Sequence, residues 1–120
     1  MLRNNKDAAA KFRSFLDSNA EISTSSINIH ELAKGANLSN NPQENLEKVY
    51  TLMQTMSILS FDVDSALISG KISALKEIKS KPIGQNDIFI AAVAISNNLK
   101  LVTRNKKHFE NIPNLEIEEW

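Results

Sequence analysis

The sequence contains no cysteine, which excludes a disulfide framework and any metal site built from thiolates. Glycine and proline are scarce, with three of each in 120 residues, so the composition is not that of a disordered or low-complexity chain. No apolar run approaches the roughly 20 residues that a membrane-spanning helix needs. Residues 1–6 (MLRNNK) lack the apolar core of a secretory signal. We therefore expect a cytoplasmic protein that does not associate with membranes.

The chain also has no excess of charge of either sign, because 14 basic residues balance 14 acidic ones. A global positive field that would attract nucleic acid is absent, although a local basic patch can still bind a phosphate backbone. A hydrophobic content of 42% and a length of 120 residues predict one domain, residues 1–120, with a single core.

The hydrophobic pattern predicts helices alternating with short strands. The predicted helices cover residues 8–16, a segment capped by Ser25 or Ser26, a segment that begins at Asn41 and Pro42, a segment capped by Asp62, and residues 88–95. The helix after Asp62 carries its apolar residues at Val63, Ala66, Leu67, Gly70, Ala74, Leu75 and Ile78. Strands are predicted at residues 22–24, 57–61, 101–103 and 115–117. Strands separated by helices indicate parallel pairing and an α/β sandwich with helices on both faces of the sheet.

Polar residues at the strand ends form the candidate site. In a parallel sheet, sites lie beyond the carboxyl ends of the strands. Glu31 follows the strand at 22–24, Asp87 opens the apolar helix at 88–95, and Asn105 and His108 follow the strand at 101–103. Two carboxylates that converge at this edge would suit a hard divalent cation such as Mg²⁺, which can polarise a phosphoryl oxygen and activate water.

Each of these residues also has an ordinary structural interpretation. Acids in the first turn of a helix complement its dipole, which would account for Asp87 without chemistry. Glu31 falls nearly opposite the apolar stripe of its helix, so it fits a surface charge about as well as a ligand. His108 fits a turn residue, and Lys106 with Lys107 fits a solvated face that would also suit a phosphate backbone.

Several strings of residues together resemble a known family. They are 25–36 (SSINIHELAKGA), 82–92 (PIGQNDIFIAA), 101–105 (LVTRN) and 108–113 (HFENIP), with Trp120 at the end. In this order they resemble the PIN-domain ribonucleases, and among them the VapC-type toxins of toxin–antitoxin pairs. The resemblance implies a three-layer α/β sandwich whose parallel sheet has the strand order 3-2-1-4-5. It also implies Mg²⁺- or Mn²⁺-dependent cleavage of RNA, with tRNA or rRNA as the expected target, and a VapB-like antitoxin partner.

The resemblance assigns roles to residues of this chain. Glu31 corresponds to the second acid of the family site and Asp87 to the third, and these two would hold the metal. Thr103 corresponds to a polar residue within the cluster. The fourth acid falls at Asn105 or His108, neither of which is acidic.

The start of the chain departs from the family pattern. The family begins with a short apolar strand that lies in the middle of the sheet and ends in the first acid. Residues 1–6 instead resemble the segment just after that strand. We therefore expect a domain that lacks the first, central strand and the first catalytic aspartate.

Two functions are consistent with this sequence. The first is an endoribonuclease toxin, either active or impaired by the loss of the first acid. The alternative is an inactive PIN-like remnant that acts as a protein-binding module, with an apolar groove near Phe12, Leu46 and Tyr50 for an antitoxin-like helix. The resemblance further implies a homodimer, to which we expect the helix around residues 46–56 to contribute through Tyr50, Met53 and Met56.

Overall fold

The computed structural model describes residues 23–103 and 105–119. In this part of the chain it contains, in order, β1 (Ser23–Ser25), α1 (Ser26–Leu38), α2 (Pro42–Met53), β2 (Ser57–Leu59), α3 (Val63–Ser73), α4 (Lys76–Ser80), α5 (Gln85–Ser96), β3 (Leu101–Thr103), α6 (Lys106–Phe109) and β4 (Ile117–Glu119). The described residues fall into two compact units, a first unit within residues 2–59 and a second unit within residues 60–120. The predicted helix at 8–16, and with it Phe12 of the expected docking groove, lies outside the described residues, whereas Leu46 and Tyr50 of that groove lie in α2.

In the first unit, β1 runs parallel to β2 and α1 packs against α2. The turn from β1 into α1 is fixed by side-chain hydrogen bonds. The Ser25 hydroxyl accepts from the backbone N–H of Asn28 at 3.1 Å, which confirms Ser25 as the helix cap. The Asn28 side-chain amide donates to Oγ1 of Thr24 at 3.0 Å. The strand end and the first helical turn are therefore tied together.

Two predictions for the first unit need correction. Pro42 is the first residue of α2 as expected, but the side chain of Asn41 makes no capping hydrogen bond. Its backbone, at φ −129° and ψ 70°, lies outside the extended conformation from which a cap residue usually reaches the helix N–H groups. The strand predicted at 57–61 ends at Leu59.

The second unit is built around α5, whose residues 90–94 have no solvent-exposed surface. This confirms the prediction of an apolar helix that is covered on several sides. Helix α3 packs against α5, and the rings of Phe61 and Phe89 lie 4.5 Å apart at 46°. None of the helices formed by the described residues has the length and apolar character needed to cross a membrane.

The end of α5 leads directly into the buried strand β3. Asn98 has a left-handed backbone with φ 55°, and the N–H of Leu99 donates to the carbonyl of Ala94 at 2.9 Å. The N–H of Asn98 donates to the carbonyl of Ile95, which completes a Schellman motif in which asparagine takes the position that glycine usually holds. The turn satisfies two helix carbonyls and sets the direction in which the chain enters β3.

Strand β4 pairs parallel to β3, with Leu101 opposite Ile117 and Thr103 opposite Glu119. The prediction of a strand at 115–117 was therefore displaced by two residues. Asn114 lies in a left-handed turn with φ 67°, and the first ladder hydrogen bond runs from the Leu101 N–H to the Glu116 carbonyl at 2.8 Å. Because of this turn, regular pairing between β3 and β4 begins only at Ile117.

The segment after Asp62 differs from its prediction in two ways. The helix ends at Ser73 and a separate short helix, α4, begins after Leu75, whose backbone is extended. The residues that α3 buries are Ser65, Ser69 and Ile72, whereas Val63 and Leu67 are 74% and 70% exposed. The hydroxyl of Ser69 donates a hydrogen bond to the Ala66 carbonyl at 2.8 Å. Because its donor is satisfied within the helix, this polar residue can occupy the packed side.

Asp62 caps α3, as predicted, and we expect this cap to make stability depend on pH. Its Oδ1 accepts from the Ser65 N–H at 2.9 Å, and this backbone hydrogen bond lowers the pKa of Asp62 below its ordinary value of 3.8. A lowered pKa in the folded state stabilises the protein above the unfolded-state pKa, and this contribution is lost as the pH falls through the folded-state pKa. Asp62→Ala should therefore lower the urea midpoint at pH 7, and the difference from the native chain should shrink below about pH 4.

Asp64→Ala is the matched control, because it removes a carboxylate from the same helical turn without removing the cap. A difference between the Asp62→Ala variant and the native chain that stays constant down to pH 2 would contradict this assignment.

Candidate functional site

Asp87 lies in the first turn of α5 and is only 6% exposed. A carboxylate in this turn is favoured by the positive end of the helix dipole, but burial of a charged group is costly without a compensating partner. Because residues 90–94 of α5 are packed into the core, this helix holds Asp87 in a fixed position.

His108 contacts Asp87 in the folded chain. Its Nδ1 lies 3.5 Å from Oδ2 of Asp87, a distance at which a protonated imidazole forms an ion pair although it exceeds the usual hydrogen-bond length. The side chain of His108 is 57% exposed, whereas that of Asp87 is 9% exposed. The contact follows from the packing of α6 against α5. The structure thus joins two residues that the sequence indicated separately.

Thr103 and Asn105 connect β3 to this pair. Thr103 is buried at the end of the strand, and its Oγ1 accepts from the backbone N–H of Asn105 at 3.1 Å. The carbonyl of Asn105 accepts from the His108 N–H at 2.9 Å, which places Asn105 at the start of α6. These bonds fix the position of His108 relative to the end of β3.

A surface pocket of about 530 Å³ opens beside this cluster. Its lining residues are Asn105, Lys106, Lys107, His108, Glu110 and Glu119. His108 both lines the pocket and contacts Asp87, so the buried carboxylate lies directly behind the wall of the pocket.

Two carboxylates of this pocket, Glu110 and Glu119, were not identified from the sequence. Glu119 could have been found with the rule used for the other residues, because it ends β4 and lies in register with Thr103. It was missed because the predicted strand ended at residue 117, two residues before Glu119. Glu110 follows a four-residue helix, and the local sequence carries no signal for its position at the pocket.

Glu31 lies in the first unit. It is half-buried in α1 and lines a shallow pocket of about 300 Å³ together with Leu32, Gly35, Ala36, Asn45 and Val49. Glu31 thus shares a groove with two residues of the apolar stripe that it was expected to oppose. Its convergence with Asp87 stays a prediction.

The donor atoms near Asp87 match a hard cation in their chemistry. Within residues 23–103 and 105–119, no group of three or more histidine, aspartate and glutamate side chains could hold a metal ion. Mg²⁺, however, is often held by one or two carboxylates with water completing its coordination. Asp87 supplies a carboxylate, while Thr103 and Asn105, which hydrogen bonds connect to His108, supply neutral oxygen atoms. The residues therefore fit a weakly charged Mg²⁺ or Mn²⁺ site better than a site for a softer metal.

Comparisons with known proteins define the family to which this chain belongs. The model of the PIN domain family matches residues 1–115. The tRNA(fMet)-specific endonuclease VapC of Salmonella typhimurium is 38% identical over 96 residues, which cover 80% of this chain and 73% of that protein. Ribonuclease VapC2 of Rickettsia felis is 36% identical over 105 residues, covering 88% of this chain and 78% of that protein.

A solved structure agrees with these relatives. The crystal structure of VapBC2 from Rickettsia felis, bound to a DNA fragment from its promoter, matches with a TM-score of 0.83 and 34% identity. The match covers 96% of this chain and 86% of that one. The chain therefore belongs to the PIN-domain family, and within it to the VapC-type proteins, with the α/β fold that the sequence predicted.

Proposed function

We propose that this protein is the toxin of a toxin–antitoxin pair and that it hydrolyses phosphodiester bonds in RNA with the help of a divalent metal ion. The observation that supports this most strongly is the buried Asp87 behind a pocket lined by His108, Asn105 and two lysines, in a chain of the VapC type. A buried carboxylate behind an open pocket whose wall includes two lysines is what a phosphodiester substrate and a hard cation would require together.

Each side chain of the candidate site would have a distinct role. Asp87 and Glu31 would hold Mg²⁺ or Mn²⁺, which when bound polarises a phosphoryl oxygen and activates water. Thr103 would fix Asn105 through the hydrogen bond already present, and Asn105 would add a neutral oxygen ligand. His108 would hold Asp87 in place from the pocket side. Lys106 and Lys107 would contact the phosphate backbone of the RNA.

The relatives indicate the substrate and the partners. One is named as an endonuclease specific for tRNA(fMet), and two of the matching crystal structures are of VapBC bound to DNA, in one of them a fragment from the promoter. We propose that this chain acts in the cytoplasm on a tRNA or rRNA, as a homodimer, and that a VapB-like antitoxin inhibits it. Such a partner would inhibit cleavage by preventing RNA from entering the pocket.

Metal removal tests this function directly. The purified chain should cleave tRNA or rRNA with Mg²⁺ or Mn²⁺, lose the activity in EDTA, and recover it when the metal is restored. Binding of Mn²⁺ should be measured separately by calorimetry. If no metal binds at millimolar concentration and no RNA is cleaved, while an antitoxin still binds, the alternative of an inactive protein-binding module is correct.

A further inference from the structure

One wall of the pocket beside Asp87 comes from strand β4 and carries the carboxylate of Glu119. The other lining residues, 105–108 and 110, belong to α6 and the residues that flank it. Glu119 is the last residue of β4 and is exposed to solvent. Among residues 23–103 and 105–119, no hydrogen bond or ion pair engages its side chain. Both carboxylate oxygens can therefore accept hydrogen bonds from a ligand in the pocket.

The position of Glu119 is fixed by the pairing of β4 with β3. Glu119 lies in register with Thr103, and neighbouring strands of a sheet are about 4.8 Å apart. Oγ1 of Thr103 accepts from the Asn105 N–H at 3.1 Å, and the Asn105 carbonyl accepts from the His108 N–H at 2.9 Å. A ligand in the pocket would therefore lie between the carboxylate of β4 and the residues of α6.

A carboxylate at this position is unfavourable in a pocket that binds only the RNA backbone. Phosphates are repelled by negative charge, and Lys106 and Lys107 already supply cations for them. Glu110 is accounted for by these lysines, because it follows them by four and three residues, a helical spacing that places it beside them. Glu119 has no basic neighbour on its own strand, whose other residues are an isoleucine and a glutamate.

The hydrogen-bonding edges of the bases indicate what Glu119 would bind. Guanine presents two adjacent donors, N1–H and the N2 amino group, on its Watson–Crick edge, and these match the two oxygens of one carboxylate. Adenine, cytosine and uracil have no two adjacent donors on this edge, so a carboxylate would also face an acceptor. Proteins that recognise single-stranded RNA read these edges of unstacked bases. The pocket of about 530 Å³ can admit one base, because ligand pockets span roughly 300 to 1,000 Å³.

We propose that Glu119 is a specificity-determining residue that binds the Watson–Crick edge of a guanine in the RNA substrate. This inference rests on the proposed function, because it requires that RNA enters the pocket. Lys106 and Lys107 contact the backbone without regard to sequence, whereas Glu119 selects the base. The chain should therefore prefer single-stranded RNA that presents an unpaired guanine.

Equilibrium binding with the metal chelated tests this role without cleavage. Short fluorescent oligouridylates, each with one internal guanosine, inosine or adenosine, are titrated with the native chain in EDTA at low ionic strength, and fluorescence anisotropy is recorded. Inosine keeps N1–H but lacks the N2 amino group, so it loses one of the two expected hydrogen bonds. The native chain should bind the guanosine oligonucleotide about tenfold more tightly than the inosine one.

Two matched variants test whether the preference comes from Glu119. Glu119→Ala removes both acceptors and should abolish the difference between guanosine and inosine, while binding of the adenosine oligonucleotide is retained and shows that the variant is folded. Glu110→Ala removes the same charge from the same pocket and should keep the native preference. If both variants change the affinity for every oligonucleotide by the same factor, the carboxylate acts only through its charge and the assignment is wrong.

The outcomes separate this inference from the proposed function. A native chain that binds all three oligonucleotides alike would refute the role of Glu119, while the nuclease proposal is decided by the metal experiment. A chain that prefers guanosine through Glu119 but cleaves no RNA would support the inference and refute the nuclease. If Glu119→Ala weakens Mn²⁺ binding in calorimetry and leaves the guanosine preference unchanged, Glu119 is a metal ligand and the inference is overturned.

Discussion

Replacing Asp87 with asparagine is expected to reduce metal-dependent RNA cleavage by about two to three orders of magnitude. Asparagine preserves the size of the side chain and one oxygen atom but removes the negative charge. Asp87 is the buried carboxylate of the pocket cluster, and affinity for hard cations depends on the charge of their ligands. Binding of Mn²⁺ should therefore weaken together with the rate.

The experiment compares kcat, Mn²⁺ affinity and thermal stability for the native chain and Asp87→Asn. Glu110→Gln is the matched control, because it makes the same chemical change at an exposed carboxylate of the same pocket. The control should keep most of the activity. If Asp87→Asn cleaves RNA as fast as the native chain, the assignment of Asp87 is wrong.

The second large effect is expected at Phe109, where substitution by alanine should lower the free energy of unfolding by about 3 to 5 kcal/mol. Phe109 has no exposed surface and is the largest fully buried side chain among the described residues. The loss is a large part of the roughly 5 to 15 kcal/mol that stabilises a domain. Activity should fall as well, because Phe109 anchors α6, which carries His108.

Urea unfolding measures this effect, with two controls. Phe109→Leu retains most of the buried volume and should cost less than about 1.5 kcal/mol. Glu110→Ala changes an exposed neighbour and should stay within about 0.5 kcal/mol of the native chain. A loss below about 1 kcal/mol for Phe109→Ala would show that the site collapses around the missing ring or that α6 contributes little to the core.

Elements whose signals are local were predicted well from the sequence. Helix α5 was recognised by its apolar run and alanines, β3 by the residues Leu101–Thr103, and the caps at Ser25 and Asp62 by their residue type. In each case the chain near the element contains the information that decides its structure. The resemblance to a family likewise rested on short sequence strings that can be recognised without knowledge of the fold.

Features that depend on tertiary contacts were not predictable in this way. The α3 pattern identified a helix, but periodicity cannot say which side packs, and the side with serines is the buried one. The start of β4 depended on the left-handed turn at Asn114. The contact between Asp87 and His108 depends on how α6 packs against α5, which no local pattern records.

The contrast between α5 and α6 affects how this protein can change over evolutionary time. Asp87 is followed in α5 by Ile88 and by the fully buried residues 90–94, so substitutions along this part of the helix disturb the core. Asn105, Lys106, Lys107 and His108 are exposed on a four-residue helix and its cap, where changes leave the core intact. If Lys106 and Lys107 contact the substrate as proposed, related chains can change their contacts to RNA at these two positions while they retain the same buried carboxylate.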